Sequence, residues 1–89
     1  MAYTVSLVRS ARKELQRLPA PYHDRIVKQL QQLGHDPRPF GAEKLQGRGE
    51  YKYRVGSFRI VYGIDDARRE ITVYLIEDRK EAYRRLKRR

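Results

Sequence analysis

The segment that constrains this chain most is a hairpin whose register can be written directly from the sequence. Residues Tyr51 to Val55 and Phe58 to Ile64 read as strands on either side of Gly56-Ser57, a two-residue connection of the Gly-X kind that suits a tight β-turn. With that turn, Val55 faces Phe58, Arg54 faces Arg59, Tyr53 faces Ile60 and Lys52 faces Val61. Successive side chains of a strand point to opposite faces. Tyr51, Tyr53, Val55, Phe58, Ile60 and Tyr62 therefore share one side, and Lys52, Arg54 and Arg59 share the other. Such a hairpin needs a covering layer on its aromatic side and leaves a cationic side open.

The rest of the chain supplies that layer. Tyr3 to Val8 alternate as a first strand, with Tyr3, Val5 and Leu7 on one face. Ser10 suits the cap of a helix that carries Ala11, Leu15 and Leu18 on one side and is stopped by Pro19. Pro21 fits the first turn of a second helix, where Tyr22, Ile26, Leu30 and Leu33 recur at spacings of four, four and three. Gly34 closes it, and Pro37 and Pro39 prevent its resumption. Asp36 to Glu50 reads as a loop, Asp65 to Arg69 as a polar turn, and Ile71 to Ile76 as a last strand rich in β-branched residues. Residues 79–89 read as a short terminal helix. The expected order is β-α-α-β-β-β followed by that helix. This is an α+β architecture with a helical hairpin packed on a mostly antiparallel four-stranded sheet. At 89 residues the chain is read as a single domain, residues 1–89, because a second core could not be filled.

The chain has 21 Lys and Arg against 11 Asp and Glu, a formal charge of +10. That surplus suits a polyanionic partner, since neutralising phosphates releases counterions; a ribosomal protein or a membrane-surface binder would share it. No apolar run approaches the ~20 residues that span a bilayer, and no signal-peptide core follows Met1, so the expected location is cytoplasmic. The absence of cysteine excludes disulfides and thiolate chemistry. His23 and His35 lie far apart with no third ligand at metal-site spacing, and both are read as surface residues. Gly47 and Gly49 do not open a helix, so no phosphate cradle is expected, and Asp65-Asp66 is a turn pair, not a catalytic dyad. Neither a metal nor a cofactor is implied.

Two readings fit the cationic side of the hairpin. Like charges directly opposed on a sheet are unfavourable, yet Arg54 and Arg59 face each other with Lys52 alongside. One reading is an anion site in which fixed cations stabilise charge developing on a phosphoryl group. The other is a solvated basic face on a basic protein. Arg79 and Tyr83 are four apart and project from one side of the terminal helix, which the last strand would deliver to the edge of the same sheet. Tyr83 beside cations suits base stacking; with Ala82 and Leu86 it equally suits docking of that helix.

The run Tyr51-Lys52-Tyr53-Arg54-Val55-Gly56-Ser57-Phe58-Arg59-Ile60-Val61-Tyr62 resembles the central hairpin of the RelE/ParE toxin superfamily. Ile76-Glu77-Asp78-Arg79-Lys80-Glu81-Ala82-Tyr83-Arg84 resembles the family's final strand and its Arg-to-Tyr ending. The opening strand, the Ser-Ala-Arg-Lys-Glu-Leu start of the first helix and Pro-Phe-Gly-Ala-Glu-Lys-Leu before the hairpin match in style, so the likeness covers essentially the whole chain. It implies the toxin of a toxin–antitoxin pair: a metal-independent endoribonuclease (mRNA interferase) that cuts mRNA in the ribosomal A site and inhibits translation. The RNA's own 2′-hydroxyl attacks the adjacent phosphate. By the same likeness Lys52 helps activate that hydroxyl, Arg54 sits where some members have lysine, and Arg59 stabilises the pentavalent phosphate. Arg79 serves the leaving 5′-oxygen and Tyr83 orients the nucleotide. The implied partners are a cognate antitoxin in a heteromeric complex, the ribosome and mRNA, with no membrane. Two departures bear on the chemistry. Arg54 stays protonated and cannot act as a base, and Asp78 stands where many relatives carry histidine. A ParE-like inhibitor of DNA gyrase and a non-catalytic basic RNA- or ribosome-binding module are the competing expectations.

Overall fold

The structure, a computed structural model, describes residues 2–47 and 49–78. Along the chain run β1 (Thr4–Leu7), α1 (Arg9–Arg17), α2 (Ala20–His35), β2 (Glu43–Lys44), β3 (Glu50–Val55), β4 (Phe58–Asp65) and β5 (Glu70–Asp78). The five strands form one sheet in the order β1-β5-β4-β3-β2. Only β1, beside β5, is parallel to its neighbour. The architecture is α+β, as the sequence predicts, with two helices on one face of the sheet.

The core forms where the apolar stripes of the helices meet the inward positions of the strands. Ala11 and Leu15 from α1 and Ile26, Leu30 and Leu33 from α2 are buried against Val55, Phe58, Ile60, Tyr62, Ile71, Val73 and Ile76. Each of the larger side chains contributes about 1.5–3 kcal/mol by leaving water. The hairpin has the predicted register throughout, from Lys52↔Val61 to Val55↔Phe58. Gly56 adopts φ +60, the positive angle that a Gly-X turn requires of its first residue.

Several local expectations are corrected. The sheet has five strands, not four, because Glu43 and Lys44, within the stretch read as a loop, pair with Lys52 and Tyr51 as β2. Ser10 does not cap α1. The cap position is Val8, which offers no side-chain bond and still donates its N–H to the Val73 carbonyl at 3.0 Å, so the helix leaves directly from the strand. Gly34 does not end α2, which continues to His35. It permits close approach instead: its carbonyl accepts from the Tyr3 N–H at 2.6 Å, and a Cβ there would meet the Tyr3 carbonyl oxygen at 3.0 Å. The last strand lies inside the sheet, between β1 and β4. The expected terminal helix, with Arg79 and Tyr83, lies outside the described residues.

One irregularity shapes the face away from the helices. Val61 pairs with Leu75 but Tyr62 pairs with Val73, so Tyr74 is the extra residue of a β-bulge in β5. Val73 and Ile76 still point into the core, while Tyr74, 45% exposed, is turned to the open face. Bulges re-aim side chains in this way and recur beside functional sites.

Candidate anion site on the open face of the sheet

Alternation along β3 and β4 carries Lys52, Arg54 and Arg59 to the face opposite the helices. There Arg54 and Arg59 are direct cross-strand partners, and Lys52 pairs with Val61 one step along the ladder. The same side chains that fill the core fix this placement, because Tyr53, Val55, Phe58 and Ile60 point inward between them. Arg54 and Arg59 are exposed and Lys52 is partly buried.

The neighbouring strands place a carboxylate beside two of these cations. Glu43 of β2 stands opposite Lys52, with Oε2 3.4 Å from the Lys52 Nζ. Glu77 of β5 stands opposite Arg59, which donates from Nη2 to Glu77 Oε1 at 3.1 Å. Among the described residues Arg54 makes no ion pair. The hairpin alone shows uninterrupted like charge; the assembled sheet alternates sign across its strands. Like charges at Arg54 and Arg59 are thereby offset, and a carboxylate, which can accept a proton as a guanidinium cannot, stands beside Lys52. Neither Glu43 nor Glu77 is singled out by the sequence. Glu43 sits in a stretch without strand-length pattern, and Glu77 reaches Arg59 only through a register that the bulge resets.

A second cluster holds the chain that leads into β2. Arg38 donates to Asp66 through Nη2 at 2.8 Å and Nη1 at 3.3 Å, and through Nε to the Tyr51 hydroxyl at 3.0 Å. The Tyr3 hydroxyl donates to Asp66 Oδ1 at 2.6 Å, and the buried Tyr62 donates to the Pro37 carbonyl at 2.7 Å. Tyr51 and Tyr62 stack with centroids 5.8 Å apart. The Arg38 and Tyr3 hydrogen bonds hold the Asp66 carboxyl below its usual range, and the bond to Asp66 raises the Tyr3 hydroxyl. Burial pushes Tyr62 up to about 12. The turn reading of Asp65-Asp66 holds only in part: Asp65 Oδ1 accepts from the Arg68 N–H at 3.0 Å, whereas Asp66 serves this clasp. Through it residues 37–42, and hence Glu43, are fixed against the sheet that bears Lys52.

Among the described residues, no group of three or more His, Asp or Glu side chains is placed to hold a metal ion. No helix there is long and apolar enough to cross a membrane. His35 is exposed, and His23 rests against Asp24 at 3.2 Å. A sheet face bearing three cations can bind and orient phosphodiester oxygens, since guanidinium forks match phosphate geometry.

Solved toxins share this arrangement of helices on a sheet. The toxin–antitoxin complex RelBE2 of Mycobacterium tuberculosis contains a chain that superposes with a TM-score of 0.78 at 26% identity, covering 89% of this chain and 100% of that one. In the archaeal RelE–RelB complex of Pyrococcus horikoshii OT3 the TM-score is 0.79 at 28% identity, over 89% of this chain and 97% of that one. In sequence the chain is 29% identical over 87 residues to Toxin RelG of Mycobacterium tuberculosis, spanning 96% of this chain and 100% of the relative. The class is that of RelE-like toxins. The sequence model of the ParE toxin of type II toxin–antitoxin systems (parDE) matches residues 5–83, and the chain belongs to that family.

Proposed function

We propose that this toxin is a metal-independent endoribonuclease that cuts mRNA in the ribosomal A site and so arrests translation. The observation that supports this reading is the placement of Lys52, Arg54 and Arg59 on one open face of the β3–β4 ladder, where fixed cations stabilise charge that develops on phosphorus. In the proposed reaction the 2′-oxygen of the RNA attacks the adjacent phosphorus and gives up its proton. A P–O bond forms to the 2′-oxygen while the bond to the 5′-oxygen breaks. The products are a 2′,3′-cyclic phosphate and a 5′-hydroxyl, formed as the leaving 5′-oxygen takes up a proton. Lys52 lowers the cost of the developing 2′-oxyanion, and Arg59 with Arg54 stabilises the extra negative charge of the pentavalent phosphorus. Arg79 serves the leaving oxygen and Tyr83 orients the nucleotide, both by family likeness.

The reading extends to a cytoplasmic location and to a cognate antitoxin, as in the toxin–antitoxin complexes of M. tuberculosis and P. horikoshii. A surplus of +10 favours an acidic partner segment that folds on binding. Primer extension on mRNA from a translating extract tests the activity: new 5′ ends within codons, abolished by Lys52→Ala, Arg59→Ala or Arg79→Ala, support it.

A second reading, inhibition of DNA gyrase, is favoured by one observation, that the matching family is the ParE toxins. Double-strand breaks in DNA with intact mRNA after induction would promote it over the nuclease.

A further inference from the structure

The open face continues beyond the cations into a hollow of about 630 Å³ lined by Glu50, Gly63, Asp65, Glu70, Thr72 and Tyr74 among others. Glu50 pairs with Gly63, and Gly63 with Thr72, one alternation step along the sheet from the row that holds Lys52. Gly63 leaves the floor bare, and the Tyr74 ring lies across it. A Cβ at Gly63 would sit 3.1 Å from Tyr74 Cε2 and 3.4 Å from its hydroxyl. One side of the ring thus rests on the β4 backbone, and the residue remains 45% exposed. The bulge that turns Tyr74 outward sets a bulky aromatic on this face without disturbing Val73 or Ile76 in the core.

Charge is spread unevenly over the face. The hairpin end carries Lys52, Arg54 and Arg59, with Glu43 and Glu77 beside two of them; the hollow carries Glu50, Asp65 and Glu70, which repel phosphate and attract hydrogen-bond donors. From strand spacing, the Cα of Lys52 and that of Gly63 are about 8 Å apart, one strand across and two residues along, the scale of a single nucleotide. We propose that this hollow binds a nucleobase, stacked on Tyr74, with Glu50 accepting from its exocyclic amine while the adjoining phosphate rests on Lys52. Repulsion by the carboxylates makes the polarity one-way: the backbone keeps to the cations and the base enters the acidic end. The hollow then selects guanine, cytosine or adenine, which offer exocyclic amines, over uracil. This inference rests on the nucleic-acid reading of the cationic row.

The test uses the full chain and short 2′-O-methyl oligoribonucleotides, which cannot be cleaved, carrying one fluorescent 2-aminopurine. Stacking on tyrosine quenches that base. Wild type and Tyr74→Phe should bind with quenching, whereas Tyr74→Ala, with its melting temperature measured alongside, should lose the quenching and bind about 5- to 150-fold more weakly, the range of one base–aromatic stack. Glu50→Ala, which removes the acceptor, should keep the stack but lose the preference for amine-bearing bases over uracil. Equal affinity and quenching in wild type and Tyr74→Ala, or an unchanged base preference in Glu50→Ala, overturns the proposal and leaves the hollow to a protein partner. Cleavage of mRNA in a translating extract is scored separately. A protein that stacks the base but cuts nothing retains the hollow and loses the nuclease.

Discussion

Arg59 stands between a cation and an anion, facing Arg54 across one ladder and donating to Glu77 across the other at 3.1 Å. The carboxylate occupies the guanidinium that the proposed reaction needs. A phosphate arriving at Arg59 must displace Glu77 or share the fork with it.

Replacing Glu77 with Gln should therefore strengthen binding of uncleavable oligonucleotides. An exposed pair of this kind is worth little, so the gain should be about two- to five-fold, with a steeper dependence on salt as one more phosphate is engaged. Glu70→Gln removes the same charge from the far end of the same strand and should give a smaller change. Titrations at several salt concentrations with both variants check this, and equal effects would show that only total charge matters.

The clasp between Arg38, Asp66 and Tyr3 predicts a specific acid limb. Asp66 is held below its ordinary value of 3.8, so its ionised form favours the folded state. Its contribution is complete above 3.8 and is lost as pH falls through the depressed folded value. Thermal melts at a series of pH values should show a steeper loss of stability in wild type than in Asp66→Asn below pH 3.8. Parallel curves would show that the clasp contributes nothing to stability.

Tyr62 predicts the alkaline counterpart. Its hydroxyl is raised from 10.0 to about 12, so the protonated form favours folding; that stability is present below 10 and is lost as pH rises through about 12. An ultraviolet absorbance titration should show a phenol near 12 that is lost in Tyr62→Phe. That variant also removes the bond to the Pro37 carbonyl and should loosen residues 37–42. Identical alkaline titration curves for wild type and Tyr62→Phe, apart from the lost amplitude of one phenol near 10, would contradict the assignment.

What was legible in the sequence was what local rules determine. A two-residue turn leaves one register, and alternation then divides Tyr53, Val55, Phe58 and Ile60 from Lys52, Arg54 and Arg59 without further information. The helices follow from apolar spacing and prolines, although Ser10 and Gly34 satisfied local rules that tertiary contacts overrode: Val8 stays bonded to the sheet, and Gly34 is needed for the approach of Tyr3. What stayed hidden depends on contacts between distant segments. A two-residue strand such as Glu43–Lys44 has no periodicity to detect, and only its partner β3 makes it a strand. Glu77 meets Arg59, and Asp66 meets Arg38, across 18 and 28 residues. The outward turn of Tyr74 comes from a bulge that nothing in the alternation of β5 announces.

Whether the cationic row acts on a scissile phosphodiester is decided by single-turnover cleavage of mRNA in a translating extract. Lys52→Ala and Arg59→Ala should each slow cleavage by about 10²- to 10³-fold with melting temperatures close to that of wild type, because both side chains lie off the core. Cleavage at the wild-type rate by both variants would contradict that role.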